Sequence, residues 1–162
     1  MNPAEAPGTA PRHRRCFAFE AEFSGSLRCI PMAVRRKLDL AGVKLKLVHW
    51  HGLSMAERER LLTWRDDAAA IEALREWLLE RSHELPEGPA KPLERACGTS
   101  WQQGDRVPEV LEQACHQLQL PLRPEAWPLL DELERFALVK LSHPGHEHRN
   151  LPFALREFGA LR

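Results

Sequence analysis

Hydrophobic and polar positions along the chain divide it into short helical units punctuated by proline and glycine. Phe17, Phe19 and Phe23 alternate with Glu20 and Glu22 in FAFEAEF, which predicts a short strand or an extended arm. Ser24-Gly25-Ser26 then reads as a turn. Over residues 30–41, Ile30, Val34, Leu38 and Ala41 recur at helical spacing, with Pro31 in the first turn and Gly42 at the stop. Val43, Leu45 and Leu47 alternate with Lys44 and Lys46, which fits a short extended link before Trp50.

Ser54-Met55-Ala56-Glu57 has the form of a capping box and predicts a helix to about Trp64. Asp66 or Asp67 caps another helix, with Ile71, Leu74 and Leu78 as its buried stripe, ending before Pro86. Residues 84–105 carry Pro86, Gly88, Pro89, Pro92, Gly98 and Gly104 and predict a long irregular connection that Trp101 pins to the core. Pro108 opens a helix to about Leu118, with Val110, Leu111, Ala114 and Leu118 inward. Pro124 opens one continuous helix over 124–141 with a broad apolar face that includes Leu129, Leu130, Leu133 and Phe136. His143-Pro144-Gly145 ends it, and a last short helix spans about 152–158. The expected fold is mainly α: a single-domain bundle of about six helices over 16–162, with an extended N-terminal arm. Residues 1–15, rich in Pro, Ala and charge, read as a disordered leader.

Charge narrows the function classes. The chain of 162 residues has 23 Lys+Arg and 23 Asp+Glu, so a chain-wide cationic surface for nucleic acid or anionic lipid is excluded. Local polarity remains. Residues 28–46 hold Arg28, Arg35, Arg36, Lys37, Lys44 and Lys46 against Asp39 alone, a charge of +5, while residues 57–94 carry −4. Such a segment suits an acidic protein surface, a phosphate-bearing cofactor or nucleic acid. No aromatic residues interleave with these bases, which argues against a single-strand stacking platform. No apolar run approaches the ~20 residues that a membrane span needs. The first residues have no apolar signal core, so the expected compartment is the cytoplasm, with reduced thiols. Cys16, Cys29, Cys97 and Cys115 form no CxxC pair, so no zinc ribbon or thioredoxin-like motif is present.

Candidate chemistry is sparse. His143, His146 and His148 with Glu147 could supply metal ligands and a base, but the spacing matches neither HExxH nor a finger pattern. The histidines equally suit a helix C-terminus, where imidazolium complements the dipole. His49-Trp50-His51 reads as a buried tryptophan flanked by two histidines. There is no GxSxG, Walker or GxGxxG loop.

Two blocks carry a family likeness. One runs from Leu27 to Leu47 (LRCIPMAVRRKLDLAGVKLKL) and the other from Arg135 to Gly159 (RFALVKLSHPGHEHRNLPFALREFG), with Trp50, Glu57-Arg58, Trp101, Val107-Pro108 and Trp127 in order between them. Together they resemble the bacterial nitrate-reductase-associated proteins, best known from cyanobacteria. That resemblance implies a small non-enzymatic factor needed for active assimilatory nitrate reductase, itself a molybdopterin and iron–sulfur enzyme. The motif positions carried over are Arg28, Cys29, Pro31, Arg35, Lys37, Asp39, Lys140, Gly145, His146, Glu147 and Asn150. His143 and His148 depart from the pattern, which places an Arg and a neutral polar residue there.

The leading expectation is therefore a maturation or accessory factor that binds the reductase or its molybdopterin cofactor. Its expected docking residues are Arg28, Arg35, Lys37, Asp39, Lys140, His146, Glu147 and Asn150, drawn from two stretches forming one cationic face. No catalytic residue, bound metal or cofactor of its own is expected. A metal-dependent enzyme built on His146 and Glu147 is one alternative. A nucleic-acid-binding regulator of nitrogen assimilation is the other, disfavoured by the zero net charge.

Overall fold

A computed structural model describes residues 12–162, without the side chains of Arg12, His146 and Glu147. The expected leader lies, for residues 1–11, outside the described residues; Arg12–Arg14 form a single 3-10 turn. The described chain contains eight α-helices and one two-stranded ribbon, so the mainly α class read from the sequence is the class adopted. It divides into two compact units, Met1–Ala96 and Cys97–Arg162.

The first unit contains α1 (Ala21–Ser24), α2 (Met32–Ala41), α3 (Leu47–Gly52), α4 (Met55–Thr63) and α5 (Ala68–Arg81). The phenylalanine-rich stretch is helical rather than extended: a 3-10 turn over Ala18–Glu20 runs into α1. Burial explains the difference. Phe17 and Glu20 are both buried three residues apart, a helical spacing, and the Glu20 carboxylate accepts the Met32 backbone N–H at 3.2 Å. The alternation of Phe and Glu is thus coincidental to a turn that buries one of each.

Helix α2 starts where Pro31 sets an extended N-cap and stops at Gly42, which is left-handed at φ +70. A side chain at Gly42 would also meet the Leu93 carbonyl oxygen at 2.5 Å, so only glycine serves this position. Val34, Leu38 and Ala41 pack with Leu61, Leu74, Leu78 and Trp50 as one core. Strand β1 (Val43–Lys44) pairs antiparallel with β2 (Lys91–Pro92), which organises part of the stretch expected to be irregular.

The expected capping box forms at α4. The Glu57 N–H donates to Ser54 Oγ at 3.1 Å and the Ser54 N–H donates back to Glu57 Oε1 at 2.9 Å. Glu57 also accepts from Arg81 of α5 at 2.7 Å, and this hydrogen bond is the main reason its carboxyl is held down to about 2. Removing the side chain with Glu57→Ala should cost about 1–3 kcal/mol at neutral pH. A depressed carboxyl stabilises above its unfolded range and loses that contribution as pH falls toward its folded value. The gap between variant and wild type in urea unfolding should therefore shrink from pH 5 toward pH 2.

The second unit contains α6 (Glu109–Gln117), α7 (Glu132–Leu141) and α8 (Leu151–Glu157). Trp101 is buried and meets Phe136 of α7 edge-on, with ring centroids 5.1 Å apart, so it pins the preceding loop as expected. The helix expected over 124–141 is broken. Residues Pro124–Leu129 form a 3-10 segment containing Pro128, and α7 begins afresh at an Asp131/Glu134 capping box. Pro128 cannot donate a backbone hydrogen bond, and Asp131 caps more readily than it continues a helix. Leu129, expected inward, is consequently 83% exposed, while Leu130 is buried. In α6, Leu111 and Ala114 are buried as expected, but Leu118 is exposed and Val110 only half-buried.

Candidate functional site

Within the basic segment 28–46 the six cations have different environments. Arg28 is exposed in the loop before α2. Arg35 is half-buried, with a guanidinium nitrogen 3.9 Å from Met32 Sδ. Arg36 pairs with Asp66 at 3.0 Å. Asp39 is half-buried, and its carbonyl accepts the Ala96 N–H at 2.9 Å.

Lys37 belongs to the core. It is fully buried, and its ammonium donates to the carbonyls of Leu61 at 3.1 Å and Leu62 at 2.7 Å, at the C-terminal end of α4. Charge at that end complements the helix dipole. Lys37 therefore does not join a docking surface, because its ammonium is buried against the end of α4.

Two exposed cations of the segment, Lys44 and Lys46, converge instead with a residue from outside it. Lys44 and Lys91 are directly opposed in the β1–β2 register, so both side chains project from the same face of the ribbon. Lys46 lies beside them and pairs with Glu87 at 3.0 Å. These four side chains, with His49 and Pro89, line a cleft of about 160 Å³. The hydrogen bond from Lys46, then its charge, hold the Glu87 carboxyl below its ordinary range.

His49 is buried and fixes the wall of this cleft. Its Nδ1 accepts the Lys46 backbone N–H at 3.0 Å, which leaves Nε2–H to donate to the Gly88 carbonyl at 2.9 Å. The two bonds fix the orientation of the ring. Ser82 Oγ accepts the Ala90 N–H at 2.9 Å and anchors the same loop. Because residues 47–52 are helical, His49 and His51 do not share a face: His49 is buried and His51 exposed, on either side of the buried Trp50. Two apolar residues of α3, Leu47 and Val48, follow Lys46 in the chain and are exposed.

The remaining expected residues belong to the second unit. Lys140 is half-buried on α7 with its ammonium 5.3 Å from the Phe136 ring centroid. Asn150 is half-buried at the entry to α8 and makes no side-chain cap. The backbone of His146 and Glu147 forms a 3-10 segment, His146–Asn150, after Gly145, and their side chains lie outside the described residues. Among the described residues, no three His, Cys, Asp or Glu side chains are grouped to hold a metal.

The site residues missed by sequence reasoning are Lys91 and Glu87. The VKLKL alternation carries the signal for Lys44 and Lys46, but a two-residue strand inside a proline-rich stretch has no period to read.

The family model for conserved nitrate reductase-associated protein matches residues 16–158. The chain belongs to that family. The match takes in the first block and all of the second but Gly159, and with them every element from the 3-10 turn at Ala18–Glu20 to α8. No curated protein and no solved structure matches the chain. No described helix is long and apolar enough to cross a membrane.

Proposed function

We propose that this protein is a non-catalytic accessory factor that promotes the maturation of assimilatory nitrate reductase by binding the reductase. The family match over residues 16–158 carries the reading. The chemistry of the first unit supports it: exposed Lys44, Lys46 and Lys91 line one cleft, and exposed Leu47 and Val48 follow Lys46 directly in the chain. Such a patch combines apolar anchors with a cationic rim, and the rim sets orientation and on-rate toward an acidic surface. Arg28 is exposed apart from this patch, in the loop before α2, where its carbonyl is bonded to His51 at 2.9 Å. The molybdopterin cofactor is the second ligand in view, because its phosphate would suit the same lysines.

Deleting the gene should abolish nitrate reductase activity in cell extracts while immunoblots show the reductase polypeptide still present. Unchanged activity in the deletion strain would overturn the proposal. Complementation with a chain carrying Lys44→Glu, Lys46→Glu and Lys91→Glu should fail to restore activity, although these exposed substitutions leave the core intact.

A further inference from the structure

The cleft between β1, α3 and the 85–91 loop contains an electrostatic imbalance that the fold does not resolve. Lys44 and Lys91 are opposed across the ribbon, an arrangement that destabilises a strand pair when both residues have the same charge. Among the described residues, neither has an ion-pair partner. The one carboxylate lining the cleft, Glu87, is engaged by Lys46. Three ammonium groups against one carboxylate leave two positive charges, the complement of a phosphate dianion.

The walls are already in place. His49 ties the start of α3 to Gly88, Ser82 ties Ala90, and the β1–β2 pairing sets the spacing of Lys44 and Lys91. A ligand would therefore meet a preformed backbone and order only lysine side chains. The cleft volume of about 160 Å³ admits a phosphate or a pyrophosphate. Among the described residues no arginine lines it, so the planar fork that grips carboxylate or phosphate bidentately is absent, and the lysines act on a phosphate as point charges. Among the described residues no Phe or Trp lines it either, and the His49 ring is buried and bonded at both nitrogens, so the cleft lacks the exposed stacking platform that a nucleic-acid strand would use.

We propose that this cleft is a binding site for a phosphate-bearing small molecule, whose phosphate sits among Lys44, Lys46 and Lys91. The site shares the face assigned above to the reductase, so the inference rests on that reading for its setting but not for its chemistry.

The test is a heteronuclear NMR titration of the full chain with inorganic phosphate, pyrophosphate and adenosine diphosphate at matched ionic strength. Saturable shifts confined to residues 44–49 and 87–91 are expected, with pyrophosphate binding more tightly than phosphate. Equal affinity for pyrophosphate and the nucleotide would assign the site to the phosphates alone, and tighter nucleotide binding would assign it to a phosphate ester. Combining Lys44→Gln with Lys91→Gln should weaken binding at least tenfold, and each single variant should weaken it less. Glu87→Gln should tighten it several-fold by freeing Lys46 and removing the competing carboxylate.

Shifts that rise linearly without saturating, that chloride reproduces, or that persist unchanged in the double variant would overturn the site. Co-purification with the reductase separates the two readings. Saturable pyrophosphate binding without co-purification keeps the site and removes the accessory role. Co-purification without saturable binding does the reverse.

Discussion

Trp50→Ala should destabilise the first unit by about 3–5 kcal/mol, the range for deleting a buried aromatic ring. Trp50 is fully buried and is the largest side chain in the core that α2, α4 and α5 share. It is also part of a polar joint. Its Nε1–H donates to the Leu27 carbonyl at 2.8 Å, and Arg58 donates to the same carbonyl at 3.2 Å and to the Trp50 carbonyl at 3.0 Å. Leu27 has a left-handed backbone at φ 59, a conformation that a leucine adopts only when its surroundings hold it there. Removing the indole therefore opens a cavity and loosens the turn that leads into α2. Trp50→Phe keeps most of the apolar volume and leaves Arg58 on the carbonyl, so its cost should stay nearer 1–2 kcal/mol. Urea unfolding followed by far-ultraviolet circular dichroism measures both variants. A loss below 1 kcal/mol for the alanine variant would show that Trp50 does not organise the unit.

This joint also shows what the sequence could and could not disclose. The boundaries of α2, α4 and α5 were legible because Pro31, Gly42, Ser54 and Asp67 act locally, through backbone geometry and side-chain caps. Trp50, read as a buried tryptophan flanked by two histidines, is buried. Which cations were exposed was not legible. Arg36, Lys37 and Lys44 look alike as members of a +5 segment, yet one pairs with Asp66, one lies in the core and one faces solvent. Their separation depends on α4 passing over α2, a tertiary fact with no local signature. Lys91 reached the cleft for a similar reason: strand pairing across about fifty residues carries no periodicity to follow.

Wild-type stability should rise by about 2 kcal/mol between pH 7 and pH 9, and Lys37→Met should abolish most of that rise. Burial is the main cause that brings the Lys37 ammonium down from its ordinary 10.5 to about 7. Asp66 opposes this shift, while Arg36 and Arg14 add to it. Between those two values the unfolded chain keeps a proton that the folded chain has released, so raising the pH favours the folded state. Below pH 7 both states hold the proton and the full cost of the buried charge is present; above 10.5 neither does and the cost is gone. Cys115 works in the other direction, because burial pushes its thiol up to about 11 and the unfolded thiol ionises first. Its effect is a few tenths of a kcal/mol up to pH 9, which makes this window the right one to read. Methionine matches the length of lysine without its charge but leaves the Leu61 and Leu62 carbonyls without their donor. Its net effect at one pH therefore mixes a gain with a loss, whereas the slope against pH isolates the ammonium. Urea midpoints at half-unit steps for both chains measure that slope. Equal slopes would mean that Lys37 reaches water in the folded protein and belongs with the surface cations after all.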